Sequence, residues 1–201
     1  MYKNRLKHFL GIAISLVLLV AFSPFLLLLM VFIALKTREN PFFTQKRMGL
    51  NGKIFTLIKL RTMTDKYDSE GNQLIDMERT SAWGRFLRKT SIDEIPQLIN
   101  ILKGDMNLIG PRPLLPEMMP YYSAYQNQRH EIRPGITGWA QINGRNTISW
   151  RAKFDLDVWY VKNVNFKIDF QIFFRTIQKI FGDKNVNYSD SDTMPDFDGT
   201  N

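Results

Sequence analysis

A run without a single charged residue, Phe9 to Leu35, limits what this chain can fold into more than any other feature. As a helix at 1.5 Å per residue it would be roughly 40 Å long, more than the ~30 Å hydrocarbon core of a bilayer. Ser23-Pro24 divides it. The first half, Phe9 to Phe22, would reach only about 21 Å, too short to cross. Pro24 lacks an amide donor and crowds the preceding turn, which predicts a kink. Ser23 can bond the carbonyl that the proline frees, making the kink tolerable in lipid. Lys3, Arg5 and Lys7 precede the run, and Lys36, Arg38, Lys46 and Arg47 follow it. Positive charge marks the cytoplasmic flank of a membrane segment. Both flanks qualify, so residues 1–38 are expected to form a re-entrant hairpin that enters and leaves by the cytoplasmic face. The competing reading is a kinked helix that crosses once. A secretory signal does not fit, because the apolar region is too long and no small-residue cleavage site follows.

The remaining sequence suits one domain, residues 39–182, followed by an acidic tail, 183–201. With no cysteine in the chain, disulfides, thiolate metal sites and thiol catalysis are excluded. The tail carries five aspartates and one lysine, so residues 1–182 hold a net +12 against +8 for the whole chain. That excess fits an anionic membrane surface or phosphate-bearing ligands. Nucleic acid is not an expected partner, since no helix-turn-helix, ribonucleoprotein or zinc-finger pattern occurs. The tail, poor in apolar residues, is expected to be mobile.

Within the domain, Phe42-Phe43-Thr44 and Ile54 to Ile58 read as a β-hairpin, with Asn51-Gly52 suited to a type I′ turn. Asp65 to Arg79 reads as a loop. Trp83 to Arg88 is a short amphipathic piece, and helices are predicted near Ser91–Leu102 and Pro116–Gln128. Ser149 to Val161 is rich in aromatic residues. Phe166 to Phe181 has helical spacing, with Phe170, Phe173, Phe174, Ile177, Ile180 and Phe181 on one face. The expected fold is α+β: the membrane hairpin, then a small, mainly helical catalytic domain with a β-hairpin and interfacial amphipathic helices.

The chemistry concentrates around Asp93-Glu94, close behind Arg85, Arg88 and Lys89. Ser91 with Glu94 three residues later is a capping-box pattern, which would make both acids mere decoration of a helix start. In the functional reading, a carboxylate at a positive helix end among basic residues has a low pKa and serves as nucleophile or metal ligand. Adjacent residues on a helix point about 100° apart, so the two acids should divide the work. Gly110-Pro111-Arg112-Pro113 presents Arg112 from a stiff backbone, suited to bidentate phosphate binding or to a rigid surface turn. Pro134 to Arg145 combines glycines with Gln141 and Arg145, but neither a P-loop nor a G-x-G-x-x-G motif is present. Lys59 and Arg61 close the second hairpin strand and are expected to face the same pocket. His130-Glu131 lacks the second histidine of a zinc protease.

Taken in order, the hairpin with Ser23-Pro24, Lys59-Leu60-Arg61-Thr62-Met63, Asp93-Glu94-Ile95-Pro96-Gln97-Leu98, Gly104 to Pro113 and Pro134 to Arg145 resemble the monotopic phosphoglycosyl transferases, the bacterial sugar transferase family. The resemblance runs from about Arg5 to Phe181 and is strongest toward members that use UDP-diacetylbacillosamine. Asn107, where serine is common, is a minor departure. The resemblance implies transfer of a sugar 1-phosphate from a UDP-sugar to undecaprenyl phosphate, with release of UMP, at the cytoplasmic face of the bacterial inner membrane. It makes Asp93 the nucleophile that forms a phosphoglycosyl-aspartate. Glu94 is then expected to help Asp93 hold Mg²⁺ or to position the lipid phosphate. Arg88, Arg112 and Arg145 would stabilise phosphoryl charge, with Lys59 and Arg61 in support; Gln141 and Asp157 would contact substrate or those arginines. A homodimer and downstream glycosyltransferases are further implied partners. The other readings are a non-catalytic membrane-anchored phosphate-binding module, which would tolerate Asp93→Asn, and a single-pass scaffold.

Overall fold

A computed structural model describes residues 2–65, 67–72, 74–144, 148–182 and 197–199. A π-helical turn, Tyr2–Leu6, leads into α1, a continuous helix Lys7–Thr37. It is long and apolar enough to cross a membrane by length and composition alone. Pro24 lies inside it. Without an amide proton Pro24 cannot bond the Val20 carbonyl four residues back. The Ser23 hydroxyl donates to that carbonyl instead, at 2.8 Å. The expected repair of the freed group is therefore present, whereas no break into a hairpin is seen.

One stripe of α1 is buried: Lys7, Gly11, Ser15, Leu26 and Ile33. Its spacing keeps to one helical face. Ile12, Leu18 and Leu19 pack against Phe55, Leu57, Leu98, Ile101 and Met106; farther along, Leu26 and Ile33 pack against Leu60 and Leu87. Other faces stay apolar and exposed, with Phe9, Val17, Val20, Leu28 and Leu35 all outward. Both ends are tied to the same domain. At the start, Lys7 Nζ pairs with Asp169 at 2.7 Å and also bonds the Tyr160 hydroxyl, while Lys3 donates to the Val161 carbonyl at 2.8 Å. At the far end, Glu39 pairs with Arg61 at 2.6 Å.

The expected hairpin is β1 (Phe42–Met48) and β2 (Ile54–Leu60), antiparallel, with Met48 opposite Ile54. Asn51 and Gly52 both have positive φ, as a type I′ turn requires, but they sit within a longer connection closed by Gly49 and Lys53. A short helix, α2 (Asp76–Arg79), interrupts the expected loop, and α3 (Ala82–Thr90) begins on a Ser81 cap. The predicted helix from Ser91 is not one helix. Ser91 ends α3 in the left-handed region and its side chain caps nothing, so the capping-box reading is overturned. A 3₁₀ turn, Ile92–Glu94, follows, and α4 (Gln97–Leu102) starts only after Pro96. Pro116–Gln128 is likewise divided, into a 3₁₀ stretch and α5 (Ala124–Asn127), which opens on a Ser123–Gln126 capping box.

A second, unforeseen sheet pairs β3 (Asn107–Ile109) with β4 (Gly135–Thr137) in parallel. The backbones meet so closely that a Cβ at Gly138 would lie 2.1 Å from the Gly110 carbonyl. Only glycine fits there. Then come α6 (Trp139–Asn143), α7 (Trp150–Asn163) and α8 (Phe166–Gly182). On α8, Ile172 and Asp169 face inward while Phe166, Phe170, Phe173, Phe174, Ile177 and Ile180 are exposed; the Phe181 side chain lies outside the described residues. Of the expected mobile tail, residues 183–196, 200 and 201 lie outside the described residues; Phe197 is buried among Met118, Trp150 and Phe154.

Asn100 joins α4 to β2. Fully buried, it accepts from the Ile58 amide at 3.0 Å and donates to the Thr56 carbonyl at 2.7 Å, taking the place of a neighbouring strand. Asn100→Ala leaves both backbone groups unpaired, so unfolding of the detergent-solubilised protein in urea should lose about 2–4 kcal/mol. A loss below about 0.5 kcal/mol, within the range of inert surface changes, would show that this edge finds other partners.

Candidate active site

The 3₁₀ turn sets Asp93 and Glu94 beside the end of β2. Lys59, one residue before the strand end, reaches Glu94 Oε1 at 2.8 Å. Arg112 donates to the same oxygen from the opposite segment, Nη2 at 2.9 Å. Arg88, on the last turn of α3, donates through Nε to Thr62 at 2.9 Å and adds its charge near Asp93. Three of the expected basic residues thus surround one carboxylate pair.

The two acids behave differently. Burial pushes the Asp93 carboxyl up to about 6, although Lys59, Arg88 and Arg112 act against it. Burial would raise Glu94 as well, but Arg112 and Lys59 outweigh it and hold the group down at about 2. The expectation of a low pKa for a carboxylate in this cluster is met at Glu94 and corrected at Asp93. A three-residue 3₁₀ turn carries little macrodipole, and the full cationic hydrogen bonds go to Glu94 rather than Asp93. Asp93, 7 % exposed, makes no hydrogen bond among the described residues.

Arg112 stands on a rigid base. Pro111 and Pro113 are buried on either side of it while its own side chain is exposed. Behind it lies an arginine that sequence reasoning missed. Arg129 donates twice to Asp157 Oδ2, at 3.1 and 2.7 Å, and once to the Arg112 carbonyl at 2.7 Å. Asp157 therefore acts through Arg129 on the backbone of Arg112, and both partners of the ion pair are almost fully buried. Nothing local in the sequence marked Arg129, which lies 28 residues from Asp157.

Arg61 does not join the site. β2 ends at Leu60, so Arg61 escapes the strand's alternation and turns to Glu39, Asp65 and the Asn40 carbonyl. Gln141 is half-buried on α6; both polar atoms of its amide are sealed from solvent without a partner among the described residues. Arg145 lies outside the described residues.

No cluster of three or more His, Cys, Asp or Glu side chains occurs among the described residues. Asp93 and Glu94 alone suit a Mg²⁺ ion whose shell is completed by substrate phosphates, because Mg²⁺ commonly takes one or two carboxylates in such sites. The arrangement as a whole is a shielded carboxylate with lysine and arginine around it, a set of charges suited to an anionic electrophile.

The sequence profile described as bacterial sugar transferase matches residues 2–183. The chain is similar to the uncharacterized sugar transferase EpsL of Bacillus subtilis (strain 168), 48% identical over 97% of this chain and 96% of that one. An undecaprenyl-phosphate glucose phosphotransferase of Komagataeibacter xylinus is 37% identical over 90% of this chain. A UDP-N-acetylgalactosamine-undecaprenyl-phosphate N-acetylgalactosaminephosphotransferase of Aeromonas hydrophila is 35% identical over 87%. The latter two are longer proteins, of which the matched region spans 36% and 43%.

The raised Asp93 pKa has a stability consequence. In the folded protein the carboxyl holds its proton up to about pH 6, against 3.8 in its ordinary state, so stability falls as pH rises through that interval. Asp93→Asn removes the buried charge. In metal-free buffer at pH 8 the variant should be more stable than wild type by on the order of 1–3 kcal/mol. At pH 4 the gain should vanish. A variant less stable than wild type at pH 8 would mean that Lys59 and the arginines more than compensate the burial.

Proposed function

The chain belongs to the bacterial sugar transferase family, and on that premise we propose that it transfers a sugar 1-phosphate from a UDP-sugar to undecaprenyl phosphate, releasing UMP. The observation that carries this reading is the buried Asp93 beside Glu94, with Lys59, Arg88 and Arg112 around the pair. A carboxylate shielded from water and neighboured by cations can attack a phosphorus whose own charge would otherwise repel it.

The reaction proceeds in two displacements. An Asp93 carboxylate oxygen attacks the β-phosphorus, and the bond to the bridging oxygen breaks with its electron pair leaving on UMP. An oxygen of the lipid phosphate then attacks the same phosphorus, and the electron pair of the Asp93–phosphorus bond returns to the carboxylate. No proton needs to move in either step. Lys59, Arg88 and Arg112 stabilise charge on the phosphoryl oxygens throughout. Glu94, held between Lys59 and Arg112, fixes the two cations relative to each other. Mg²⁺, held by Asp93 and Glu94 together with the diphosphate, would supply further charge neutralisation. Gln141 and Arg145 are proposed donor contacts. UDP-diacetylbacillosamine is the first donor to test, with UDP-glucose and UDP-N-acetylgalactosamine beside it. The product, a polyprenyl diphosphate sugar, is chemically ready for a glycosyltransferase that extends it.

A lipid acceptor requires a site at the membrane surface. The exposed apolar faces of α1 and α8 support a monotopic seat on the cytoplasmic face of the inner membrane. Both ends of α1 bond the same globular domain, Lys7 at one end and Glu39 at the other. Contacts from both ends of the segment to one domain support a topology with both ends on one side of the bilayer, with α1 a continuous helix rather than the expected hairpin.

Two experiments test the proposal. In the first, cysteines replacing Lys3 and Lys36, in a chain with no native cysteine, should both resist a membrane-impermeant thiol reagent in intact cells. Labelling of position 3 alone would establish a crossing helix. In the second, protein, Mg²⁺ and UDP-sugar are mixed without lipid. About one UMP per active site should appear, and the peptide containing Asp93 should gain the mass of a sugar phosphate, while Asp93→Asn gives neither. If wild type turns over with lipid but shows neither signal without it, the lipid phosphate attacks the donor directly.

A further inference from the structure

The C-terminal tail contributes one side chain to the packing beneath Arg112. Phe197, the single phenylalanine among residues 183–201, is buried with Met118, Trp150 and Phe154. Its ring stands edge-on to Phe154, with centroids 4.9 Å apart and planes at 69°. It also meets the rings of Tyr122 and Trp150, at 5.9 and 6.0 Å. Two residues on, Gly199 has a φ of +92°, and a Cβ there would lie 3.3 Å from the Tyr121 Cβ. The end of the chain is thus seated on the domain at two neighbouring points.

What Phe197 covers is the support of Arg112. The Arg129 guanidinium lies 5.6 Å from the centre of the buried Phe154 ring. Arg129 binds Asp157 through Nε and Nη2 and holds the Arg112 carbonyl at 2.7 Å. Arg129 Nη1 and Asp157 Oδ1 are sealed from solvent and have no hydrogen-bond partner among the described residues. Such a pair keeps its strength only while water stays out. Low dielectric enhances the attraction, and water reaching either open atom would compete with the partner. From Phe197 to Arg112 every link is a direct contact: ring to ring, ring to guanidinium, guanidinium to carbonyl. The Arg112 side chain is half exposed and reaches Glu94 through Nη2, so the place of its fork depends on how its backbone is held.

We propose that Phe197 is a positioning residue for the transfer: it closes the aromatic layer over the Arg129–Asp157 pair and thereby keeps the Arg112 guanidinium aimed at the donor phosphates. The inference rests on the two-step transfer proposed above, in which Arg112 stabilises charge on the phosphoryl oxygens. Truncating the Phe197 ring leaves a void beside Phe154, Trp150 and Tyr122, which Phe154 can turn to fill. The guanidinium then loses the flat surface against it, water enters the ion pair, and the Arg112 carbonyl loses a charged donor. A guanidinium fork binds phosphate by direction as well as by charge. A shift of about 1 Å at such a group is enough to slow the chemistry by an order of magnitude or more. A lysine in the same place is a point charge on a flexible stem and depends less on direction.

The test uses the full-length protein in lipid nanodiscs with undecaprenyl phosphate and Mg²⁺. UMP release is followed from UDP-diacetylbacillosamine, UDP-glucose and UDP-N-acetylgalactosamine, and the donor that turns over is kept. Phe197→Ala should lower kcat/KM for that donor by about tenfold or more. Phe197→Leu, which refills most of the space with an apolar side chain, should stay within about threefold of wild type. In an Arg112→Lys background, Phe197→Ala should cost less than about threefold, because the fork it aims is already gone. An equal loss in both backgrounds would show that Phe197 supports the fold at large rather than Arg112, and would overturn the inference. Unchanged kinetics in Phe197→Ala would overturn it as well. Failure of the underlying reading has a different signature, in which wild type releases no UMP from any UDP-sugar even with lipid and Mg²⁺, and the inference then falls with it.

Discussion

The contact on which the rest depends is the buried ion pair between Lys7 and Asp169, reinforced by the Tyr160 hydroxyl and by Tyr2, whose hydroxyl donates to Asp169 at 2.6 Å. Withdrawing two charges from water is costly, so such a pair contributes little net stability. Its value is positional. It ties the first turn of an apolar helix to α8, while Glu39, two residues past the end of that helix, pairs with Arg61 just beyond β2. Between these anchors α1 lies along α4 and β2, the elements that flank Glu94 and carry Lys59. The apolar helix is thereby part of the frame of the candidate site. A reaction whose acceptor cannot leave the membrane benefits from that union.

Two neighbouring carboxylates receive opposite treatment from the same surroundings. Glu94 takes the direct hydrogen bonds of Lys59 and Arg112 and stays ionised. Asp93 takes only their field and is otherwise desolvated. An anion that is poorly solvated and free of strong hydrogen bonds is more nucleophilic than one that is well paired, yet at about 6 it is still mostly ionised at neutral pH. The division follows from geometry: adjacent residues in a tight turn face different ways, and Lys59 and Arg112 both converge on Glu94 Oε1.

Much of this was legible in the chain. The apolar run, the Ser23-Pro24 pair, the Asn51-Gly52 turn and the amphipathic pattern from Phe166 are local signals, and each corresponds to a local feature of the structure. Asp93, Glu94, Lys59, Arg88 and Arg112 were also identifiable, because charge clustering and proline bracketing survive in one dimension. The capping box was not real, since Ser91 adopts a left-handed conformation to reverse the chain after α3. Arg61 read as a partner of Lys59 by strand alternation, but the strand had already ended.

The sequence by itself determined where the long apolar helix lies, which carboxylates are candidates for the chemistry and which basic residues are close in the chain, because these follow from hydrophobic length, charge and turn chemistry. Only the tertiary structure decided which carboxylate is shielded and which is paired, because desolvation depends on packing from several elements at once. It alone brought Arg129 and Asp157 behind Arg112, since such contacts span segments with no shared local pattern. Both ends of α1 meeting one domain is likewise a long-range fact: Lys7 and Asp169 are 162 residues apart, and nothing short of the folded packing relates them.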